Sequence, residues 1–233
     1  MTNKSKRKKH LGFTLAEVLI TLGIIGVVAA MTIPTLITSY QKHVTVTKLQ
    51  KAISILNQAY KLSFDDNGEP SATEAYAMGS EEYFKQYWAP YIKTAVICTT
   101  YQECGYKSIT PWLESNGNQI TIVVVDKKCR TTFYTSDGFL YIIFTAQGTS
   151  NPEGTVQNTH VYVDINGGEG PNILGRDVFI LTRVEKEGGG VQPFGYEKSS
   201  SIINASCSKK GAGYYCAEKI RRSGWKIEKD YPW

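Results

Sequence analysis

The chain has 233 residues, which is long enough to bury a hydrophobic core without help from disulfides or metals. Its 26 basic and 21 acidic residues give a formal net charge of +5, and basic residues close to the N-terminus account for all of it. The remainder is formally neutral, which excludes an overall basic charge of the kind that binds nucleic acid. The basic residues of the N-terminus are Lys4, Lys6, Arg7, Lys8 and Lys9.

An apolar run follows from residue 13 to residue 37, and Glu17 is its one charged side chain. The run is long enough to cross a bilayer about 30 Å thick, and the preceding basic cluster predicts that its N-terminal end stays cytoplasmic. An acidic side chain costs roughly 2.5 to 3.5 kcal/mol at the centre of a membrane, so Glu17 needs an explanation. Two ordinary interpretations stay open: a secretory signal cleaved after Val28-Ala29-Ala30, and an uncleaved anchor.

The junction between the basic leader and the apolar run has a specific pattern. Gly12 ends the leader, and Phe13-Thr14-Leu15-Ala16-Glu17 opens the run. This pattern resembles the class III signal of type IV pilins and of the pseudopilins of type II secretion. The resemblance implies that a membrane-embedded prepilin peptidase cuts between Gly12 and Phe13 and methylates the new N-terminus. It also implies that the partners are other pilin or pseudopilin subunits, which assemble through their N-terminal helices.

The spacing of Glu17 from the expected cleavage site suggests a role for its charge. Cleavage would leave the α-amino group of Phe13, which is cationic near neutral pH, four residues before Glu17. Residues four apart face the same side of a helix, so Glu17 is expected to pair with an N-terminal cation. That cation is its own or, as the resemblance implies, a neighbouring subunit's. Alternatively, Glu17 only complements the dipole of its own helix.

Gly23, Gly26 and Pro34 are expected to interrupt the helix, because glycine and proline weaken a helix interior. In the family that the signal resembles, such a stretch can lose helicity as the filament assembles. Close packing of helices against small residues is an equally simple explanation. Either way, the three residues join Glu17 as candidates for subunit assembly.

The next segment changes from uniformly apolar to amphipathic. Apolar residues recur at steps of three and four from Leu49 to Ser63, which predicts that the helix continues to Phe64 and stops at Asn67-Gly68. An irregular helical region from Ser71 to Ala95 is rich in aromatic residues, and these are expected to lie in the core.

Strand patterns dominate the second half of the chain. Predicted strands cover residues 120–125, 131–135, 139–145, 160–165 and 177–182, with a hairpin turn at Ser136-Asp137-Gly138. Consecutive strands without intervening helices predict an antiparallel sheet. The predicted fold class is therefore α+β: a long N-terminal helix, half membrane-spanning and half amphipathic, packed on the antiparallel sheet of a pilin-like head.

Five cysteines follow the apolar run and none precedes it. In an oxidising compartment, Cys98 with Cys104 and Cys207 with Cys216 are the natural short-range pairs, which leaves Cys129 over. The sequence does not force this pairing. A zinc site is not expected, because the CxxC spacing and the supporting histidines are missing.

The glycine-rich segment between the last two predicted strands is a candidate calcium site. Asp164, Asn166, Asn172 and Asp177 offer the hard oxygen atoms that calcium prefers. Some pseudopilin heads hold calcium in a nearby loop, but the segment is not an EF-hand. The alternative is a turn built from Asn, Asp and Gly without any metal. No other cofactor is expected.

The expected domains are a leader at residues 1–12, a transmembrane and polymerisation helix at 13–37, and an amphipathic helix with a globular head at 38–233. No serine or cysteine lies in a recognisable nucleophile motif, so catalysis is not expected. The expected function is that of a structural subunit of a type IV pilus-like or type II secretion filament. It would be inserted once in the inner membrane with its head outside the cytoplasm, and then enter an extracellular or periplasmic filament.

Two alternative functions remain. One is a signal-anchored extracytoplasmic binding protein. The other is a minor pilin for DNA uptake or adhesion that binds through its head, since the last segment is locally basic. Nucleic acid is not the expected partner. The basic residues of that segment are Lys209, Lys210, Lys219, Arg221, Arg222, Lys226 and Lys229.

Overall fold

The computed structural model describes residues 14–68, 70–93, 95–126, 128–145, 159–184 and 189–233. The chain divides into two compact units, Met1–Lys42 and His43–Trp233. Helix α1 covers Leu15–Asn67, close to the predicted range of residues 13 to 64.

The N-terminal part of α1 exposes apolar side chains all around its circumference. Among the described helices, α1 is the one that is long and apolar enough to cross a membrane. It continues through Gly23, Gly26 and Pro34 without a break. The expected interruption is therefore wrong for the single chain, because one proline removes only one of the many backbone hydrogen bonds of a long helix.

The C-terminal part of α1 is amphipathic, as predicted. Its buried positions recur at helical spacing, and the helix ends where Gly68 adopts a positive φ of 70°. The Gly68 amide donates to the carbonyl of Phe64 at 2.9 Å, which satisfies one of the last helical acceptors. The buried residues are Thr45, Val46, Leu49, Ala52, Leu56, Ala59 and Ser63.

Within the part of the chain that the structure describes, the head is built on a six-stranded antiparallel meander, in which each strand pairs with the next in chain order. The predicted α+β class is confirmed. The strands are β1 (Val96–Ile97), β2 (Arg130–Tyr134), β3 (Leu140–Thr145), β4 (Thr159–Asp164), β5 (Val178–Arg183) and β6 (Val191–Pro193).

The two faces of the sheet bury separate hydrophobic clusters. Alternate residues of β3 divide between them: Tyr141 and Ile143 join the cluster that contains the amphipathic part of α1, whereas Leu140 and Ile142 join the opposite one. The period of two along a strand produces this division. The second cluster is completed by loop residues, among them the fully buried Trp112.

The predicted strand at residues 120–125 is wrong. Ile120 and Val124 are buried, but their amides donate to the loop carbonyls of Trp112 and Ile109, at 3.1 and 2.9 Å. The segment covers the second cluster instead of extending the sheet. The β-branched residues of this segment are explained by burial, and a buried loop can have the same composition as a strand.

Short helices cover the remaining parts of the head. The predicted aromatic region forms α2 (Ala72–Met78), α3 (Ser80–Tyr87) and a 3₁₀ turn (Ala89–Tyr91). Its aromatic core is confirmed: the ring centroids of Phe84 and Phe133 lie 4.4 Å apart. Helices α4 (Ser200–Ser206) and α5 (Cys216–Arg222) were not predicted, because seven residues give little helical pattern.

Candidate functional site

The expected cleavage site, Gly12 and Phe13, lies outside the described residues. Immediately after it, Thr14 and Glu17 form a reciprocal cap at the start of α1. The Thr14 amide and hydroxyl both donate to Glu17 Oε2 at 2.8 Å, and the Glu17 amide donates to Thr14 Oγ1 at 3.2 Å. This is the capping box that the pattern T-x-x-E predicts, a signal that the sequence analysis did not use.

In this single chain, therefore, Glu17 has a local partner. The cap fixes the carboxylate on the N-terminal turn, close to where cleavage would create a new amino group. A carboxylate at this end of the helix also complements the helix dipole.

The surface of the first part of α1 is suited to contact with lipid or with other helices. A helix that is apolar all around must be covered by one or the other, because water cannot solvate it favourably. A Cβ atom added at Gly23 or Gly26 would meet nothing within 4 Å, so the single chain gives these glycines no packing role. The large exposed side chains are Leu15, Val18, Leu19, Ile20, Leu22, Ile24, Ile25, Val27, Val28, Met31, Ile33, Leu36 and Ile37.

The candidate calcium segment brings two buried carboxylates together. Asp164, at the end of β4, accepts hydrogen bonds from the Tyr106 hydroxyl at 2.7 Å and from the amide of Asn166 at 3.2 Å. Asp177, just before β5, accepts from the amides of Asn172 and Ile173 at 2.7 and 2.6 Å. Burial raises the pKa of both carboxyl groups, and it raises the pKa of Asp164 well above the ordinary value. A raised pKa means that ionising the buried group costs free energy.

The two asparagines of this segment have spare acceptors. Asn166 Oδ1 and Asn172 Oδ1 are buried and accept no hydrogen bond from a described residue. Neither Asp164 nor Asp177 forms an ion pair with a described residue, so the charge that either carboxylate would carry is uncompensated there. However, the described residues contain no group of three or more His, Cys, Asp or Glu side chains that could hold a metal ion.

Two disulfides are present, and both are the predicted pairs. Cys98–Cys104 closes a loop beside β1, and Cys207–Cys216 joins α4 to α5. Cys129 is a free thiol that donates to Asp126 Oδ2 at 3.0 Å. Burial and this carboxylate raise the pKa of Cys129, which keeps it protonated and therefore poorly nucleophilic.

The basic C-terminal segment uses part of its charge internally. The buried carboxylate of Glu218 receives two hydrogen bonds at 2.7 Å from Arg221 and one at 2.6 Å from Arg222. Lys219 donates to Asp230 at 2.6 Å. Three of the seven basic residues singled out in the sequence thus stabilise the head, which leaves fewer of them for the phosphate-binding surface of the alternative function.

A structural contact that the sequence did not reveal joins α1 to the edge of the sheet. The Asn57 side chain donates to the carbonyl of Val191 at 2.9 Å and accepts from its amide, also at 2.9 Å. The amide side chain thereby takes the place of a further strand beside β6. No local pattern marks such an asparagine, because its partner is 134 positions away.

Two family models match the chain. The prokaryotic N-terminal methylation motif matches residues 7–33, which include Gly12, Phe13 and Glu17. A family of unknown function (DUF6613) matches residues 35–233. The chain belongs to this family. The methylation motif is the signal of type IV pilins and pseudopilins, so the resemblance at the N-terminus is confirmed.

The motif and the fold together describe a pilin-like subunit. The motif implies processing by prepilin peptidase and assembly with other pilin subunits, and the apolar N-terminal helix fits membrane anchoring. The long helix followed by an antiparallel sheet is consistent with the pilin fold. A signature of this kind points to a structural protein. No curated protein and no solved structure matches the chain.

Proposed function

We propose that this protein is a structural subunit of a type IV pilus-like or type II secretion filament, cut after Gly12 and assembled through residues 13–37. The observation that carries the proposal is the methylation motif at residues 7–33, most of which lies on an apolar helix exposed on all sides. Residues 1–12 are the leader, and residues 38–233 form the amphipathic helix and the head.

The proposed topology has a single pass through the inner membrane, with the head outside the cytoplasm. The basic leader supports a cytoplasmic N-terminus. Two disulfides in the head support an oxidising compartment, where such bonds form and persist. After assembly, the head lies in a periplasmic or extracellular filament.

Glu17 is proposed to select the register of each incoming subunit. Within a bundle of apolar helices, its carboxylate pairs with the methylated N-terminal cation of a neighbour. An unpaired charge in such an interface is costly, so a subunit in the wrong register is rejected. Gly23, Gly26 and Pro34 are proposed to support assembly by allowing close helix packing and local loss of helicity.

Processing is tested by blocking the cleavage site. In cells with prepilin peptidase, Gly12→Val should retain residues 1–12, because a branched side chain obstructs the peptidase where glycine does not. Gly26→Val is the matched control: it makes the same substitution in open space, and it should be cut like the wild type. Normal cleavage of Gly12→Val would contradict the proposal.

We further propose that the segment from Asp164 to Asp177 binds calcium weakly. The support is a set of four side chains with hard oxygen atoms. Among the described residues, the two buried carboxylates have no ion-pair partner, and the two buried amide oxygens accept no hydrogen bond. Bound calcium would supply positive charge that offsets the cost of burying the carboxylates. Asp164, Asn166, Asn172 and Asp177 would hold it.

Thermal unfolding of the head tests the calcium proposal, because a ligand that prefers the folded state raises the melting temperature. Millimolar calcium chloride should raise the melting temperature more than magnesium chloride does. Asn166→Ala should remove the difference between the two salts. An unchanged melting temperature of the wild type in calcium would exclude the site.

A further inference from the structure

The 164–177 segment, which carries the four proposed calcium ligands, lies against both disulfide-closed loops of the head. Cys98–Cys104 closes the first loop, and Gly105 follows it directly. The backbones of Gly105 and Gly168 touch, because a Cβ atom added at Gly168 would overlap the carbonyl group of Gly105. A side chain is therefore excluded at Gly168, and the first loop fixes the backbone there.

Tyr106 extends the contact of the first loop to Asp164. Its amide donates to the carbonyl of Tyr101, inside the loop, at 2.9 Å, and its hydroxyl donates to Asp164 Oδ2 at 2.7 Å. The indole of Trp112 donates to the same hydroxyl at 3.1 Å, and both aromatic side chains are buried. The position of the Asp164 carboxylate thus depends on the first loop.

The second disulfide loop holds the other half of the segment. A Cβ atom added at Gly175 would lie 2.6 Å from Cys216 Sγ, so the disulfide Cys207–Cys216 packs directly on the backbone of Gly175. Gly213 lies within the loop that this disulfide closes, and a Cβ atom added there would lie 2.9 Å from the carbonyl oxygen of Leu174. Both contacts fall in the second half of the segment.

The proposed ligands divide between the same two halves. Asp164 and Asn166 belong to the half held by the first loop, whereas Asn172 and Asp177 belong to the half held by the second. Residues 169–171, between the halves, are exposed. Calcium needs several oxygen ligands at once, so fixing one half of the segment is not sufficient.

We propose that each disulfide clamps one half of the 164–177 segment, so that the four ligands come together only after both pairs of cysteines are oxidised. The proposal rests on the calcium binding proposed above and adds its control by redox state. The clamps themselves are measured without calcium, so the two proposals can fail separately.

Oxidation of each cysteine pair removes two protons and two electrons, which a disulfide-bearing oxidant takes up as it becomes a dithiol. One S–S bond forms in the head and one breaks in the oxidant. Such oxidants act outside the reducing cytoplasm. Calcium binding is therefore confined to heads that have been exported and oxidised.

Hydrogen–deuterium exchange of the full-length protein in detergent, resolved by peptide, tests the clamps. Cys98→Ala with Cys104→Ala opens the first loop, and Cys207→Ala with Cys216→Ala opens the second. Cys129→Ala is the matched control, because it removes a cysteine that forms no disulfide. Each protein is measured with and without millimolar calcium chloride.

Without calcium, opening the first loop should speed amide exchange about tenfold in residues 164–170 and leave residues 172–177 nearly unchanged, because each clamp is local. Opening the second loop should have the reverse effect. Calcium should slow exchange across the segment in the wild type and in Cys129→Ala, and in neither opened variant.

Two gentler substitutions loosen the clamps while both disulfides stay intact, which keeps the test decisive if an opened chain fails to fold. Tyr106→Phe removes the hydroxyl that reaches Asp164, and it should abolish the calcium response. Gly175→Ala puts a methyl group against the second disulfide, and it should speed exchange in residues 172–177. Gly79→Ala is its control and should leave the segment unchanged: Gly79 has a similar positive φ, 88° against 85°, with nothing within 4 Å of an added Cβ atom.

Unchanged exchange of the segment in both opened variants would overturn the clamps. Faster exchange spread evenly over the head would overturn them too, because it indicates only a general loss of stability. A calcium response that survives in both opened variants would overturn the redox control. A wild type that does not respond to calcium, while each loop protects its own half, would overturn calcium binding and its redox control and leave the two clamps.

Discussion

The carboxylate of Glu17 has one role in the single chain and a second role in the proposed filament. In the single chain it closes a capping box with Thr14, and in the proposed filament it neutralises a neighbour's N-terminal cation. The two roles separate cleanly by mutation, because glutamine can serve in a capping box but carries no charge.

Both Glu17→Ala and Glu17→Gln should therefore be cut after Gly12, accumulate in the membrane and fail to enter filaments. Leaving a cation buried without its partner costs roughly 3 to 5 kcal/mol per joint, which weakens each addition by about two to three orders of magnitude. Loss of the helix-dipole interaction alone would cost about 0.3 to 1 kcal/mol. If Glu17→Gln forms normal filaments, whether or not Glu17→Ala does, the charge of Glu17 is not needed for assembly. Its role would then be limited to capping its own helix.

His160 makes the stability of the head depend on pH. It lies between Phe144 and Phe194, with ring centroids 6.2 and 4.6 Å away, and burial lowers its pKa to about 4. The unfolded chain, with an ordinary histidine pKa of about 6.5, therefore binds the proton more readily than the folded head. This contribution to stability is complete above pH 6.5 and is lost as the pH falls towards 4.

Between pH 7 and pH 4, the wild-type head should lose up to about 3 kcal/mol of unfolding free energy through His160. His160→Phe removes the titrating group and keeps an aromatic ring, so it should lose less over the same range. Urea unfolding of residues 38–233 at several pH values measures the difference. Identical pH profiles for the two proteins would contradict this account of His160.

At the scale of secondary-structure elements, the last strand of the sheet is held by a side chain from the long helix. Strand β6 has only three residues, and Asn57 of α1 bonds both the amide and the carbonyl of Val191 at its outer edge. An edge strand with unpaired backbone groups invites pairing with other chains. The asparagine therefore protects this edge and also attaches α1 to it.

Asn57→Ala should destabilise the head by about 2 kcal/mol, because two hydrogen bonds are lost and the backbone groups of Val191 lose their partner. Gln58→Ala, at the next and exposed position of the same helix, should cost less than about 0.5 kcal/mol. Chemical denaturation of the two variants beside the wild type measures both values. Equal stability of Asn57→Ala and Gln58→Ala would show that the contact has no energetic role.

The elements that the sequence predicted share one property: their pattern is long and local. The amphipathic part of α1, the hairpin of β2 and β3, and the pair β4 and β5 each repeat a helical or strand period over several residues. The elements that it missed lack this property. Helices α4 and α5 are short and joined by the Cys207–Cys216 disulfide. Residues 120–125 show the opposite error: their composition predicted a strand, but the buried amides of Ile120 and Val124 donate to loop carbonyls.

The candidate sites divide in the same way. The cysteine pairs were predictable because each bridges a short loop, and the leader junction was predictable because its residues fall at fixed spacing. The hydrogen bond of Tyr106 with Asp164 spans 58 positions, so no window of sequence contains it. The cap on Glu17 is local and was available from the pattern T-x-x-E.

At the scale of the whole molecule, the two units of the chain have surfaces suited to different surroundings. The first unit presents an apolar helix that needs lipid or other subunits, whereas the head encloses two hydrophobic clusters and presents charges to water. A chain of this kind is stable in a membrane as a monomer and can leave it only when its helix is covered by other helices. Cleavage at the leader is the proposed step that permits this transfer.

The central claim is that the mature subunit begins at a methylated Phe13. Intact-mass and peptide mass spectrometry of the protein from cells with prepilin peptidase tests it most directly. We predict a chain that lacks residues 1–12 and whose N-terminal peptide starts at Phe13 with one added methyl group. A mature chain that starts at Met31, or one that keeps the basic leader in the presence of the peptidase, would contradict the claim.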